Sequence, residues 1–238
     1  MPQGSPPTVP RRKRPTEWMH PQQAIMNECS FILSIMPELL QGAITSVLVA
    51  MAAISLGVVL GISVCQMRRS QFWGFKRAAW LYISFMRGIP VLVILFLLFY
   101  LPSAVNIEVP SLLVAVLALG LNTSAFQAEI YRGGFNSIPV GQIEAAKALG
   151  LSRMRILTRI QLPQVLSLTG PELVNEFIIL FKNSSLISVI GVTELMRRSE
   201  QLVSTTYKPV EVYLAAAIIY LALCLIISRL GERLKGKH

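Results

Sequence analysis

The chain has 238 residues, with 22 Lys and Arg against 12 Asp and Glu, a formal net charge of +10, and 53% hydrophobic residues. With a mean hydropathy of +0.59, it is too apolar for an ordinary soluble domain of this length, and a lipid bilayer is the solvent that fits it. The positive charge does not point to nucleic acid, because the basic residues flank apolar spans and are not interleaved with exposed aromatics.

Residues 1–24 hold six prolines and little apolar clustering. They predict a disordered tail without the apolar region of a cleaved signal peptide, so that the first span serves as the insertion signal. That span is expected over 39–67, where 29 residues between Glu38 and Arg68 carry no charge; about 20 helical residues suffice to cross the hydrocarbon. Gly57 and Gly61 within it form a GxxxG, which permits close helix approach and is explained first by packing. The next uncharged runs predict span two at about 86–107 and span three at about 109–128. A charged loop follows over about 129–170. Span four, about 171–192, is punctuated by Glu172, Glu176 and Lys182 among many large apolar residues, and span five, about 212–228, needs snorkelling flanks to reach across. A basic tail closes the chain at 231–238.

Charge bias orients these five spans. Thirteen Lys and Arg fall in the loop between spans one and two, the loop after span three and the C-terminal tail. On the other side stand Arg197, Arg198 and Lys208, together with Arg11, Arg12, Lys13 and Arg14, which lie too far from span one to count heavily. The 129–170 loop and the C-terminus are therefore expected in the cytoplasm and the N-terminus outside.

Covalent chemistry finds no support. The tail sequence GERLKGKH lacks the Ser or Thr, the strand and the helix of a phosphate-binding loop. His20 and His238 are the two histidines, which leaves no histidine-based site, and Cys29, Cys65 and Cys224 have neither metal nor disulfide spacing. No metal site and no catalytic residue is expected.

The charged loop holds the most specific pattern, EAAKALGLSRMRILTRIQLP from Glu144 to Pro163. Glu144, Ala145, Ala146, Lys147 and Ala148 are good helix formers, and Gly150 suits a helix end in left-handed geometry. Small alanines let a partner surface approach closely, while Arg153, Arg155 and Arg159 sit under the membrane. Ile160, Leu162 and Pro163 then lead back towards the bilayer. The plainer reading is an amphipathic interfacial loop.

EAA, three residues, glycine, nine residues and IxLP resemble the signature loop of permease subunits of ATP-binding cassette importers, matched at Glu144, Ala145, Ala146, Gly150, Ile160, Leu162 and Pro163. RGIPVLVILFLLFYLP from Arg87, LNTSAFQAEIYRGGFNSIPVGQIEAAKALGLS from Leu121 and NEFIILFKNSSLISVIGVTEL from Asn175 extend the resemblance to the polar amino acid branch, the histidine, glutamine, arginine and glutamate type. That family often has Thr where Ile89 stands, Gln at Ile94 and Asp at Asn183; each departure removes or neutralises a polar group.

The resemblance implies an all-α integral membrane protein with a permease domain over 25–230 and five transmembrane helices, placed in a bacterial inner membrane. It implies that the seven signature residues make a coupling helix docked on a separate ATPase. The partners implied are a second permease, identical or sister, two ATPase subunits that bind ATP and Mg, and an external solute-binding protein. This chain would hold no cofactor of its own.

The pathway is argued from the cost of charge in hydrocarbon, about 2.5–3.5 kcal/mol at the helix centre. Glu172, beside Gly170 and Pro171, suits a helix start at the interface. Lys182 stands about 16 Å further along, near the bilayer midplane. Asn183, Ser184 and Ser185 follow it and invite a helix break. Arg87, Asn122, Thr123, Ser124, Glu129 and Glu176 complete the candidate pathway, with Arg87 for a substrate carboxylate and Glu129 or Glu176 for its ammonium. Structural alternatives stand beside these roles: Arg87 at the headgroups, Glu129 paired with Arg132, and Glu176 paired with Lys182. An autonomous channel or ion-coupled carrier is the rival function, and it gives no reason for the EAA loop.

Overall fold

The computed structural model describes residues 21–235, and every regular element among them is helical. In chain order these are α1 (Pro21–Arg69), α2 (Trp73–Gly88), α3 (Val91–Ser103), α4 (Ser111–Asn136), α5 (Val140–Ala148), α6 (Arg153–Ile156), α7 (Leu162–Asn183), α8 (Leu195–Thr206) and α9 (Pro209–Lys235). A π turn over Leu157–Gln161 joins α6 to α7, and a 3-10 helix over Ser184–Ile190 follows α7. Four helical stretches are long and apolar enough to cross a membrane, and the α2–α3 pair, bent by 105°, makes a fifth if counted as one span.

The elements differ from the expected spans at identifiable places. Residues 1–20 of the expected tail lie outside the described residues, but residues 21–24 form the start of α1. Span two is a thirteen-residue helix, α3, set at a sharp angle to α2. Proline restricts the residue before it to extended geometry, and Ile89 before Pro90 has φ −110° and ψ 136°. Two helices therefore meet at 88–90. The segment expected as a loop is largely helical, since α4 runs on to Asn136 and Ile160, Leu162 and Pro163 lie within one nearly continuous helix from Arg153. Proline in a first helical turn gives up no internal hydrogen bond, and Pro163 occupies that position of α7.

Two stripes of α1 face inward. Ile35, Leu39 and Ala43 pack with α8 and α9, and further on Ser46, Val49, Ala50, Ala53, Gly57, Gly61 and Cys65 are buried at helical spacing. Outward lie Leu33, Leu40, Ile44, Leu48, Met51, Val59 and Ile62, all exposed. Water would not tolerate such a face; hydrocarbon does.

The central helix is α4, packed against α1, α2, α3 and α7. It meets α1 where α1 has no side chains: a Cβ on Gly57 would stand 2.5 Å from Thr123 Cγ2 and 2.6 Å from Gln127 Nε2. On Gly61 it would stand 3.0 Å from Gln127 Cβ. The GxxxG of the sequence is thus a packing surface for α4.

At the far end, Glu194 fastens three helices. Its carboxylate accepts hydrogen bonds from the Met196 and Arg197 backbone N–H groups at 2.9 and 2.8 Å, from Ser46 Oγ of α1 at 3.1 Å and from the Tyr220 hydroxyl of α9 at 3.0 Å. Burial pushes this carboxyl above its ordinary range, and the four donors pull it back down. Gly191, with φ +84°, reverses the chain ahead of it.

Gly57→Ala is expected to destabilise the detergent-solubilised protein by about 1–3 kcal/mol through overpacking. Gly133→Ala, where an added Cβ meets nothing within 4 Å, is expected to be neutral or stabilising by up to about 1 kcal/mol. Thermal unfolding of both variants checks this, and equal effects would remove the close α1–α4 approach as the cause.

Candidate functional site

The residues singled out by sequence fall in two places. The first is α5 and its exit. Glu144, Ala145 and Ala148 are exposed while Ala146 is buried and Ile143 is half-buried against the body, so the helix rests on these two residues and presents Glu144, Ala145 and Ala148 outward. Val140, Leu149 and Met154 are also exposed. The helix ends in a defined cap: Gly150 N–H donates to Lys147 O at 2.9 Å and Leu151 N–H to Ala146 O at 3.1 Å. This is the double bond of a Schellman motif, which needs a left-handed residue at its turn, and Gly150 has φ +75°. Ser152 then caps α6, its Oγ accepting from Arg155 N–H. Ile160 lies in the π turn, Leu162 and Pro163 in the first turn of α7. Gln164 Nε2 donates to Gln142 Oε1 at 2.9 Å and to Ile160 O at 2.9 Å, tying α7 to α5.

The second place is a cavity of about 280 Å³ between α3, α4 and α7, whose polar lining is Asn122, Thr123, Glu176 and Asn183 among Ile89, Phe126, Ile179 and other apolar groups. Glu176 is 8% exposed. Thr123 Oγ1 donates to Glu176 Oε1 at 2.7 Å, Gln127 Nε2 donates to Thr123 Oγ1 at 3.3 Å, and the Tyr131 hydroxyl donates to Gln127 Oε1 at 3.3 Å. Three successive donors on one face of α4 therefore point towards one carboxylate. Its other oxygen has no hydrogen bond among the described residues, and Asn122, whose Nδ2 donates to Met86 O at 2.9 Å, keeps its acceptor oxygen. A half-free carboxylate beside amides suits an organic cation such as an ammonium.

The other expected pathway residues stand apart from this lining. Arg87 is exposed in the last turn of α2, its guanidinium 5.2 Å from the Phe126 ring that walls the cavity, so it sits at the rim. Glu129 is clasped by Arg132 through bonds of 2.6, 3.0 and 3.1 Å, the structural pairing of the two considered for it. Ser124 Oγ lies 2.7 Å from the Tyr82 hydroxyl, joining α4 to α2. Lys182 is exposed and does not line the cavity; Glu176 pairs with Thr123 instead. Ser184 and Ser185 donate to Phe181 O and Lys182 O within their own turn, at the point where α7 gives way to the 3-10 helix. Sequence reasoning missed Gln127 and Tyr131, although their four-residue spacing from Thr123 was the available signal.

The family model described as binding-protein-dependent transport system inner membrane component matches residues 53–237. The chain is similar to the octopine transport system permease protein OccM of Rhizobium radiobacter, 37% identical over 210 residues, covering 84% of this chain and 86% of that protein. It is similar to the arginine transport system permease protein ArtQ of Bacillus subtilis, 37% identical over 203 residues, covering 84% and 92%. Among solved structures it resembles an amino acid ABC transporter crystallised with histidines, at a TM-score of 0.82 and 32% identity, over 87% of this chain and 96% of that one.

Left-handed geometry costs a residue with a Cβ about 1–2 kcal/mol. Gly150→Ala is therefore expected to speed amide exchange at 149–151 by about 5–30-fold, while Gly141→Ala, at an open position inside α5, leaves or slows it. Hydrogen-exchange mass spectrometry measures both; unchanged exchange in Gly150→Ala would mean that the cap does not hold the helix end.

Proposed function

Because the chain belongs to the binding-protein-dependent transport system inner membrane components, we propose that it is the permease subunit of an ATP-binding cassette importer carrying a polar amino acid across a bacterial inner membrane. The observation that carries the coupling part of this reading is the exposed α5 helix, closed by Gly150, with Glu144, Ala145 and Ala148 turned outward. In this reading α5 sits in a groove of a cytoplasmic ATPase, Glu144 makes a charged contact there, and Ile160, Leu162 and Pro163 carry the motion into α7. The chain itself catalyses nothing; ATP and Mg belong to two ATPase subunits. A second permease, identical or sister, and an external solute-binding protein complete the assembly.

The same reading counts α2–α3 as one span among five, with the N-terminus outside and α5 and the C-terminus in the cytoplasm. Thirteen basic residues on the α5 side support that orientation. The arginine-transport relative and the amino acid transporter of known structure support the class of cargo. Cargo enters the cavity beside Glu176, which receives its ammonium, while Arg87 at the rim receives its carboxylate. Asn122, Thr123 and Asn183 supply the remaining polar contacts. A zwitterion leaving water needs both charges met, and one acid and one fork-shaped cation meet them.

Two variants test the two halves separately in cells expressing the whole transporter. Glu176→Gln is expected to lower uptake about 10–100-fold, the cost of one charge-assisted bond, with the ATPase still copurifying. Glu144→Lys is expected to abolish copurification of the ATPase and, with it, uptake. Uptake that persists without any ATPase would sink the importer reading in favour of an autonomous carrier; full uptake by Glu176→Gln would sink the cargo site alone.

A further inference from the structure

The junction of α1 and α2 gathers Arg68, Arg69, Lys76 and Arg77 within ten residues, and none of the four forms an ion pair among the described residues. Two of them lie on aromatic rings instead, Arg69 over Phe135 at 3.7 Å and Arg77 over Trp80 at 4.7 Å. Arg68 has its Nε atom buried with no hydrogen-bond partner. A buried unpaired guanidinium nitrogen is costly unless something supplies an acceptor.

Two adjoining cavities show where an acceptor would sit. One of about 300 Å³ is lined by Arg68, Trp73, Lys76, Arg77 and Trp80. The other, about 430 Å³, shares Arg68 and Lys76 and adds Arg69, Ser70, Arg132 and Asn136. No carboxylate is among the described residues lining either, and Glu129 nearby is already held by Arg132. These are anion sites by composition.

The first two turns of α2, which wall them, have the composition of a helix end at a membrane surface. Of the sixteen residues of α2, Ala79 and Ile83 are buried. Trp73, Lys76, Arg77 and Trp80 recur at spacing i, i+3, i+4, i+7, which places indoles and cations on a single face. Phe72, Trp73, Phe75, Leu81 and Phe85 are all exposed. Indoles and basic groups at the depth of the headgroups, above exposed apolar side chains, meet a molecule that is anionic at one end and apolar at the other. A free inorganic anion would use the cations and leave the aromatic wall without a partner.

We propose that the α1–α2 junction binds the headgroup phosphate of an anionic phospholipid, with Arg68 and Lys76 as its central ligands and Trp73 and Trp80 against the glycerol and upper acyl region. The site does not depend on the cargo or on the motor contact. Arg69 supplies further positive field from the second cavity, and Arg68 Nε finds its acceptor in a phosphate oxygen.

The full chain carrying Trp18→Phe, which leaves Trp73 and Trp80 as its tryptophans, is reconstituted in phosphatidylcholine vesicles in which either the phosphatidylcholine or an added phosphatidylglycerol is brominated on its acyl chains. Quenching of the two indoles reads the lipid beside them. The expected result is a relative affinity for phosphatidylglycerol about fivefold or more above phosphatidylcholine. It should fall in Lys76→Gln, an exposed residue whose loss spares the fold, and fall close to parity in Arg68→Gln/Lys76→Gln, while Arg197→Gln keeps it. No anionic preference, or one unchanged in both variants, overturns the proposal. Erasure of the preference by millimolar inorganic phosphate would mean that the cavities take a soluble anion. Loss of ATPase copurification in Lys76→Gln at unchanged lipid preference would mean that they take an acidic protein segment; either result removes the lipid.

Discussion

The contact between the glycines of α1 and the polar face of α4 sets the position of everything else. Gly57 and Gly61 leave room for Thr123 and Gln127 to be driven up against the α1 backbone, so α4 can bury hydroxyl and amide groups in the middle of a membrane protein. Buried polar groups must be paired, and they are paired along α4: Tyr131 to Gln127 to Thr123. The chain of donors has one free end, and it falls on Glu176 of α7. A methyl group on Gly57 would therefore disturb packing and also the orientation of the carboxylate that faces the cavity.

The opposite end is held by a different device. Where α7 breaks into a 3-10 helix, the chain needs a fixed point before α8, and Glu194 supplies it by accepting from α1, α8 and α9 at once. Leu195 N–H returns a bond to Ser46 Oγ at 3.2 Å, so the serine is both donor and acceptor in the same knot. Between these two polar centres the interior is apolar, built from Val49, Ala53, Leu95, Leu119, Phe181 and Ile187. The outside of α1 and α9 is apolar as well. Interior packing and hydrocarbon thus press on the helices from both sides, and direction comes from the few polar contacts.

Much of this was legible. Uncharged runs locate α1, α4 and α9 because hydrocarbon leaves that trace in composition, and the EAA pattern locates an exposed helix closed at Gly150. The bend at Gly88–Pro90 carried a local signal in its proline, which a count of uncharged residues passes over. The role of Glu194 was not legible, because its partners Ser46 and Tyr220 are 148 residues before it and 26 after it. Lys182 drew attention through charge alone; periodicity places it on a different face of α7 from Glu176, and the structure leaves it exposed. The cavity itself is made by α3, α4 and α7 meeting, and no single segment encodes it.

The two functional places are joined by one piece of secondary structure. From Ser152 onward α6, the π turn and α7 form an almost uninterrupted helix that ends at Asn183, and Gln164 near its start is bonded to Gln142 of α5. Glu176 lies twelve residues beyond Gln164, about 18 Å along the axis. A helix gives at its irregular points, here the π turn behind Gln164, Pro171 within α7 and the 3-10 break after Asn183. If α5 moves with a partner beneath it, the start of α7 moves too, and the part beyond Pro171 carries Glu176 against Thr123 of α4. On the proposed reading, α7 is the element that spans the distance between the ATPase contact and the cargo cavity, and its irregular points are already present in the backbone.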